Sequence, residues 1–316
     1  MTPDRPLLGI ALMLGFCVIA PLGDSMAKLL GQPEWAQPLF QVVLIRFAMQ
    51  ALFLLPIALA SGRPLATPRT ITALVLLRTV LHMAGVGLMF MSLRFLPLAD
   101  TVAIAFVMPF ILLLFGWLWM DEEVGWRRLS ACTVGFVGTL LVIQPSFIDV
   151  GWPALMPLGV AVSFAMFMLV TRRIAKEVDP IAMQGVSGAM ALGLMLPLVA
   201  IGAVLDVEAL NLVAVPSGAI ALYLMLGLLG TFGHLFMTWS LRFAPSTTLA
   251  PMQYLEIPTA TVIGWLIFSE WPDGLAAVGI AITVIAGLYI ILRERAIARQ
   301  TVTAPQAAGG GPGAAV

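Results

Sequence analysis

The chain has 316 residues, of which 61% are hydrophobic and only 10% charged, and its formal net charge at pH 7 is zero. Soluble globular domains carry roughly 25% charged residues and at most about half apolar residues, so this composition excludes a water-soluble domain. A neutral chain also offers no electrostatic footprint for nucleic acid. Cys17 and Cys132 lie apart in apolar runs and form neither a disulfide framework nor a metal-ligand spacing. We therefore expect no metal and no cofactor.

Ten apolar segments follow one another along the chain, each near the roughly 20 residues that a helix needs to cross a bilayer. The predicted spans are 7–30, 38–60, 71–93, 98–119, 127–144, 152–170, 183–204, 217–240, 244–268 and 274–292. The first is interpreted as a span rather than a signal peptide, because no small-residue cleavage site follows it. The uncharged Ala/Gly/Pro-rich segment 300–316 is predicted to be a disordered tail. The pattern predicts an all-α polytopic membrane protein.

Lysine and arginine in the short loops predict the orientation, because cytoplasmic loops are enriched in both. With the N-terminus inside, the cytoplasmic loops carry twelve basic residues and the outer side carries only Arg94 and Lys28. Lys28 stands at a span end, where its side chain is expected to snorkel outward. We therefore predict an inner-membrane protein, monomer or homodimer, with both termini in the cytoplasm.

The second half of the chain partly repeats the first at an offset of 148 residues. The matches include arginine, proline, tryptophan and glutamate: Arg94-Phe95-Leu96-Pro97 with Arg242-Phe243-Ala244-Pro245, Gly116-Trp117-Leu118 with Gly264-Trp265-Leu266, and Glu122 with Glu270. The predicted repeats are 7–144 and 152–292, with five spans each. Because five is odd, the second repeat enters the membrane from the opposite side. Inverted repeats of this kind are typical of secondary carriers.

Three longer segments carry a resemblance to a known family: RFLPLADTVAIAFVMPFI (94–111), DEEVGWRRLSACTVGFVGTLLV (121–142) and RFAPSTTLAPMQYLEIPTATVIGWLIFSEWPD (242–273). The chain resembles the drug/metabolite transporter superfamily, in the EamA family with two repeats. Within it, GDSMAKLLG (23–31), LLRTVLHMAG (76–85) and APMQYLEIP (250–258) are similar to the branch of S-adenosylmethionine uptake carriers. The resemblance implies transport of a small organic metabolite. Riboflavin importers and exporters of amino acids or drugs stay open as alternatives.

Ionisable residues inside the spans are candidate site residues, because a charge near the bilayer centre costs at least about 2.5 kcal/mol. Glu256 lies at the middle of the ninth span, between Pro251 and Pro258, which are expected to break the helix. It is either a substrate- or proton-binding carboxylate or one half of a structural ion pair. Gln253 is three residues away and can share its face, and Tyr254 is the third candidate in this segment.

Two further pairs lie in the first three spans. Asp24 and Arg46 are predicted at similar depths, where they form either a structural clamp or a gate; Pro21 and Gly23 are expected to interrupt the helix just before Asp24. Arg78 and His82 are four residues apart and share one helix face. His82 is either a buried hydrogen-bonding group or a proton site, and His234 is interpreted as buried and structural.

Three function classes compete. A carrier for a zwitterionic or aromatic metabolite agrees best with the repeat. A channel is disfavoured because the spans contain no pore-lining polar stripe or filter motif. An enzyme is disfavoured because the spans contain no nucleophile-elbow, zinc-protease or phosphate-loop motif. The expected partners are a small organic metabolite and the lipid bilayer, without nucleic acid.

Overall fold

The computed structural model describes residues 5–120, 125–272 and 274–303, and within these ranges every regular element is helical. The first half contains α1 (Pro6–Leu30), α2 (Leu39–Ala60), α3 (Arg69–Ser92), α4 (Leu98–Ala105), α5 (Met108–Met120) and α6 (Trp126–Val150). The second half contains α7 (Met156–Ile174), α8 (Pro180–Leu205), α9 (Ser217–Phe243), α10 (Ser246–Leu249), α11 (Glu256–Phe268) and α12 (Gly274–Thr303). Short 3₁₀ turns occupy Trp152–Leu155, Glu208–Leu210 and Ala250–Leu255.

In the described part of the chain, seven helical segments are long and apolar enough to cross a bilayer: Pro6–Leu30, Leu39–Ala60, Arg69–Ser92, Leu98–Trp119, Trp152–Ile174, Pro180–Leu205 and Ser217–Phe243. Their outer surfaces carry large exposed apolar side chains such as Leu52, Leu59 and Val204, which lipid covers in a membrane protein. The fifth, ninth and tenth predicted spans coincide with α6, with α10–α11 and with α12. The protein is a multi-pass helical membrane protein, and the count of ten spans stays a prediction.

Helix α8 follows ordinary capping chemistry at both of its ends. Asp179 precedes α8, and its Oδ1 accepts hydrogen bonds from the backbone N–H groups of Ile181 and Ala182 at 3.0 and 3.1 Å. Pro180 occupies the first turn, where a missing N–H costs nothing. At the other end of α8, Asp206 adopts the left-handed conformation with φ of 52°.

Prolines divide two of the predicted spans, although not in every case as the sequence suggested. The fourth span is interrupted between α4 and α5, just before Pro109, which has no N–H to donate to the Ala105 carbonyl four residues earlier. The ninth span contains the 3₁₀ turn Ala250–Leu255, and Pro258 falls in the first turn of α11, where it breaks nothing. The expected interruption near Pro21 and Gly23 is wrong, because α1 continues through both residues.

The end of the chain differs in part from the prediction of a disordered tail at 300–316. Residues 300–303 form the last turn of α12. The rest of the predicted tail lies outside the described residues, and so does the whole segment 121–124.

The helices of the two halves pack against each other in a reciprocal pattern. Helix α1 lies against α9 and α3 lies against α7, while α2 packs on α8 and α6 packs on α12. The α2–α8 contact is so close that a Cβ placed on Gly188 would lie 2.8 Å from the Ala51 backbone nitrogen. The absence of a side chain at Gly188 therefore allows the two helices to approach. This packing leaves a cavity between the two halves.

Candidate functional site

A cavity of about 70 Å³, room for several water molecules, lies between the two halves. Four side chains that can carry charge line it, namely Asp24 from α1, Arg46 from α2, His234 from α9 and Glu256 from α11. The remaining lining is apolar and includes Phe16, Val86, Met89, Phe90, Val102, Phe106, Met108, Val160, Phe164, Leu226 and Met237. A few convergent polar groups in an apolar cleft are characteristic of small-molecule sites.

Two acids line this cavity, Asp24 from a helix of the first half and Glu256 from a helix of the second half. Glu256 is the first residue of α11, directly after the 3₁₀ turn, and is 8% exposed. The positive end of the helix dipole favours a carboxylate at that position. Asp24 projects from α1 one helical turn after Pro21. The proline-containing segment before α11 therefore places the Glu256 carboxylate at the cavity.

Arg46 brings a guanidinium into the same cavity. It donates hydrogen bonds to Gln50 Oε1 at 3.3 Å and to the Gly230 carbonyl of α9 at 3.1 Å. Its guanidinium carbon also lies 5.1 Å from the centre of the Phe47 ring. Asp24 and Arg46 border one cavity, yet in the described chain no ion pair within 4.0 Å joins them. Their approach in another conformation stays a prediction.

Arg78 lies outside the cavity and is fully buried. Its guanidinium donates hydrogen bonds to Thr171 Oγ1 at 2.8 Å, Ser187 Oγ at 2.9 Å, Gln184 Oε1 at 3.0 Å and Thr238 Oγ1 at 3.2 Å. These acceptors belong to α7, α8 and α9, whereas Arg78 belongs to α3. One cation of the first half thus connects three helices of the second half.

The two arginines belong to one hydrogen-bonded chain. Arg46 bonds Gln50, and Gln50 Nε2 donates to the Gln184 backbone carbonyl at 2.7 Å. The Gln184 side chain in turn accepts from Arg78. The cavity arginine and the Arg78 contacts are therefore connected through Gln50 and Gln184.

The remaining candidates on the ninth span point away from the cavity. Gln253 is fully buried, and its Nε2 lies 3.0 Å from Met168 Sδ. Tyr254 donates to the Cys132 carbonyl at 3.1 Å and packs against Phe106, with ring centres 5.5 Å apart. In this conformation both residues pack the bundle, and Glu256 alone of the three borders the cavity.

The structure brings His82 and His234 together, although 152 positions separate their numbers in the chain. Their ring centres are 4.1 Å apart, and both rings contact Phe164 and Phe167. Sequence reasoning ranked His234 as structural, whereas the structure places it in the cavity wall. The available signal was an ionisable side chain within the largely apolar sequence of α9.

Ion pairs join the halves near both ends of the bundle. Lys28 Nζ binds Glu270 Oε1 at 2.5 Å, and Glu270 Oε2 also accepts from the Leu98 N–H at 3.1 Å. The Lys28 side chain therefore ends in an ion pair with the second half of the chain. Toward the other end, Arg63 pairs with Asp179, the residue that caps α8.

Two reciprocally packed halves around a lined cavity are typical of helical membrane transporters, and sequence comparison agrees. Residues 7–144 and 151–293 each match the model of the EamA-like transporter family. The two matches cover most of the chain, and the protein belongs to the EamA-like transporter family.

Two curated relatives illustrate the range within the family. The chain is 26% identical over 289 residues to the S-adenosylmethionine uptake transporter of Rickettsia prowazekii (strain Madrid E), covering 91% of this chain and 93% of that protein. It is 29% identical over 300 residues to the riboflavin transporter of Rhizobium johnstonii, covering 92% and 93%. A solved crystal structure matches with a TM-score of 0.65 at 19% identity, covering 92% of this chain and 98% of that one. This last match supports the fold.

Proposed function

We propose that the protein is a secondary carrier that moves a small organic metabolite across the inner membrane by alternating access. The observation that carries the proposal is the cavity between the halves, lined by Asp24, Arg46, His234 and Glu256. Family membership supports transport, and the position of the cavity supports a binding site at the interface of two repeats.

The proposed architecture is ten spans in two inverted five-helix repeats, 7–144 and 152–292. The reciprocal packing supports it, because exchanging the halves exchanges the α1–α9 contact with the α3–α7 contact and leaves the α2–α8 and α6–α12 contacts in place. With both termini cytoplasmic, the cavity lies toward the outer half of the bundle. The Arg78 contacts then lie toward the inner half, where they separate the cavity from the cytoplasm.

The charges around the cavity favour a substrate that carries both signs. The carboxylates of Asp24 and Glu256 attract a sulfonium or ammonium group, and the guanidinium of Arg46 suits a carboxylate. A metabolite of the S-adenosylmethionine kind, or another amino-acid derivative, fits this arrangement. Riboflavin is the alternative that the second relative suggests, although it would leave the opposed charges of the cavity less completely matched. Because the cavity is small, either substrate requires the surrounding helices to move apart.

The test uses purified protein in proteoliposomes with radiolabelled S-adenosylmethionine and, separately, radiolabelled riboflavin. A carrier shows saturable uptake and accelerated exchange when unlabelled substrate is loaded inside the vesicles. Non-saturable flux without exchange would indicate a channel. Failure of both solutes, together with uptake of other amino-acid derivatives, would retain the carrier and change its substrate.

A further inference from the structure

Six rings form a cluster at the cavity wall, which we name the aromatic cluster: Phe16, Phe47, His82, Phe164, Phe167 and His234. The rings come from α1, α2, α3, α7 and α9, so both halves contribute. Phe16, Phe164 and His234 also line the cavity directly. The cluster therefore presents flat aromatic surface to whatever enters the cavity.

Three ring nitrogens of the two histidines in the cluster make no hydrogen bond within the described part of the chain. His82 is fully buried, and neither Nδ1 nor Nε2 has a partner among the described residues. His234 is 8% exposed, and its Nδ1 is likewise without a partner. A buried polar group without a partner destabilises the fold, which calls for an occupant that completes these bonds.

Two cavity-lining rings are already arranged for stacking. The rings of Phe164 and His234 lie 15° from parallel with centres 5.8 Å apart. Aromatic rings stack with centre separations of about 4.5–7 Å. A flat ring that enters from the cavity can therefore pack on Phe164 or His234 after a small outward movement of α7 or α9.

We propose that the aromatic cluster binds a planar nitrogen heterocycle of the transported molecule. The ring stacks on Phe164, and its polar edge exchanges hydrogen bonds with the imidazole of His234, whose plane lies 15° from that of Phe164. The charged part of the same molecule then lies toward Asp24, Arg46 and Glu256. This inference rests on the proposed carrier function and adds a substrate class, namely zwitterions that carry a heteroaromatic ring.

The decisive experiment uses the fact that the chain contains two histidines. Protein with ¹⁵N-labelled imidazoles and a non-histidine affinity tag, held in nanodiscs, reports on His82 and His234 alone. The probes are adenosine, which has the ring without the amino acid, and S-methylmethionine, which has the sulfonium amino acid without the ring. Adenosine is expected to shift the His234 signals in a saturable manner. S-methylmethionine at equal concentration is expected to leave them much less changed.

Two variants separate the subsite from general packing. Phe164→Leu removes a stacking surface and is expected to weaken adenosine binding about 3- to 10-fold. Phe232→Leu alters an exposed ring on α9, the helix of His234, and is expected to leave adenosine binding unchanged. An equal effect of both variants would overturn the proposal, and so would adenosine failing to shift either histidine.

The outcome is independent of the uptake test. Uptake of S-adenosylmethionine without any histidine response to adenosine would retain the carrier and remove the subsite. A histidine response to adenosine in a protein that transports neither labelled solute would retain the subsite and remove the substrates proposed above. Signals that respond to neither probe, with unchanged uptake in Phe164→Leu, would show that only water completes the histidine bonds, against the proposal.

Discussion

The guanidinium of Arg46 lies against the backbone of Gly230, donating to its carbonyl at 3.1 Å. A Cβ at position 230 would stand 2.8 Å from the Arg46 Nε atom, closer than side chains tolerate. Glycine at this position therefore lets a cation from the first half rest on a helix of the second half, inside the cavity. This contact fixes the orientation of the guanidinium and therefore the direction of its other N–H groups.

Gly230→Ala is expected to displace Arg46 and weaken substrate binding about tenfold, the loss associated with one charge-assisted hydrogen bond of about 1.4 kcal/mol. Gly87→Ala is the matched control, because a Cβ on that glycine of α3 meets nothing within 4 Å. Equilibrium binding of the transported solute to both purified variants checks the prediction. Equal affinities in the two variants would contradict the role given to Arg46.

Arg78→Lys is expected to lower stability, because lysine has no planar fork to reach acceptors on three helices at once. The loss of buried hydrogen bonds predicts a destabilisation of about 2–4 kcal/mol. Thermal unfolding in detergent measures it, with Arg69→Lys as the control at an exposed position. A melting temperature equal to that of the wild type would show that the Arg78 contacts do not hold the halves together.

Asp24 and Arg46 are expected to interact in at least one conformation of the transport cycle. A double-mutant cycle on uptake with Asp24→Asn, Arg46→Gln and the double variant is expected to give a coupling energy of at least about 0.5 kcal/mol. Single variants that fail to fold, combined with a normal double variant, would make the pair structural. Normal transport by all three would mean that the pair has no role.

The Lys28–Glu270 contact is expected to open during transport, because it connects the two halves near one face of the membrane. Cysteines introduced together as Lys28→Cys and Glu270→Cys and joined by a short bifunctional methanethiosulfonate reagent are expected to abolish uptake, and reductive cleavage of the link is expected to restore it. The native Cys17 and Cys132 are buried, which limits competing disulfides, and each single variant is the control. Undiminished uptake by a fully cross-linked protein would show that this contact stays closed.

The sequence predicted where the helices lie along the chain better than it predicted which neighbour each side of a helix contacts. Apolar runs identify the spans, and a carboxylate such as Glu256 is conspicuous in one of them because its insertion is costly. The depth of a residue along its helix does not determine which neighbour it faces. For that reason the sequence did not indicate that His234 rather than Tyr254 lines the cavity, and the partners of Arg78, on three distant helices, could not be foreseen.

Local proline chemistry was also only partly predictable. Pro251 coincides with a real change to 3₁₀ geometry, whereas α1 accommodates Pro21 without a break. Whether a helix tolerates proline depends on the packing around the carbonyl that proline leaves free. In α1 the carbonyl that Pro21 leaves free is that of Cys17, four residues earlier.

Glu256 is the residue on which the proposed transport mechanism depends most directly. If it carries a coupling proton, Glu256→Gln retains binding and loses the pH dependence of uptake. If it stays charged and attracts a cationic group, the same variant loses affinity. Glu208→Gln, at an exposed position of the 3₁₀ turn before α9, is the control.

The measurement is therefore substrate affinity, uptake rate and pH profile of Glu256→Gln beside the wild type in the same proteoliposomes. We predict that at least one of the three changes about tenfold or, for the pH profile, becomes flat. A Glu256→Gln protein with wild-type affinity, rate and pH profile would contradict the mechanism and leave Glu256 as a packing residue of α11.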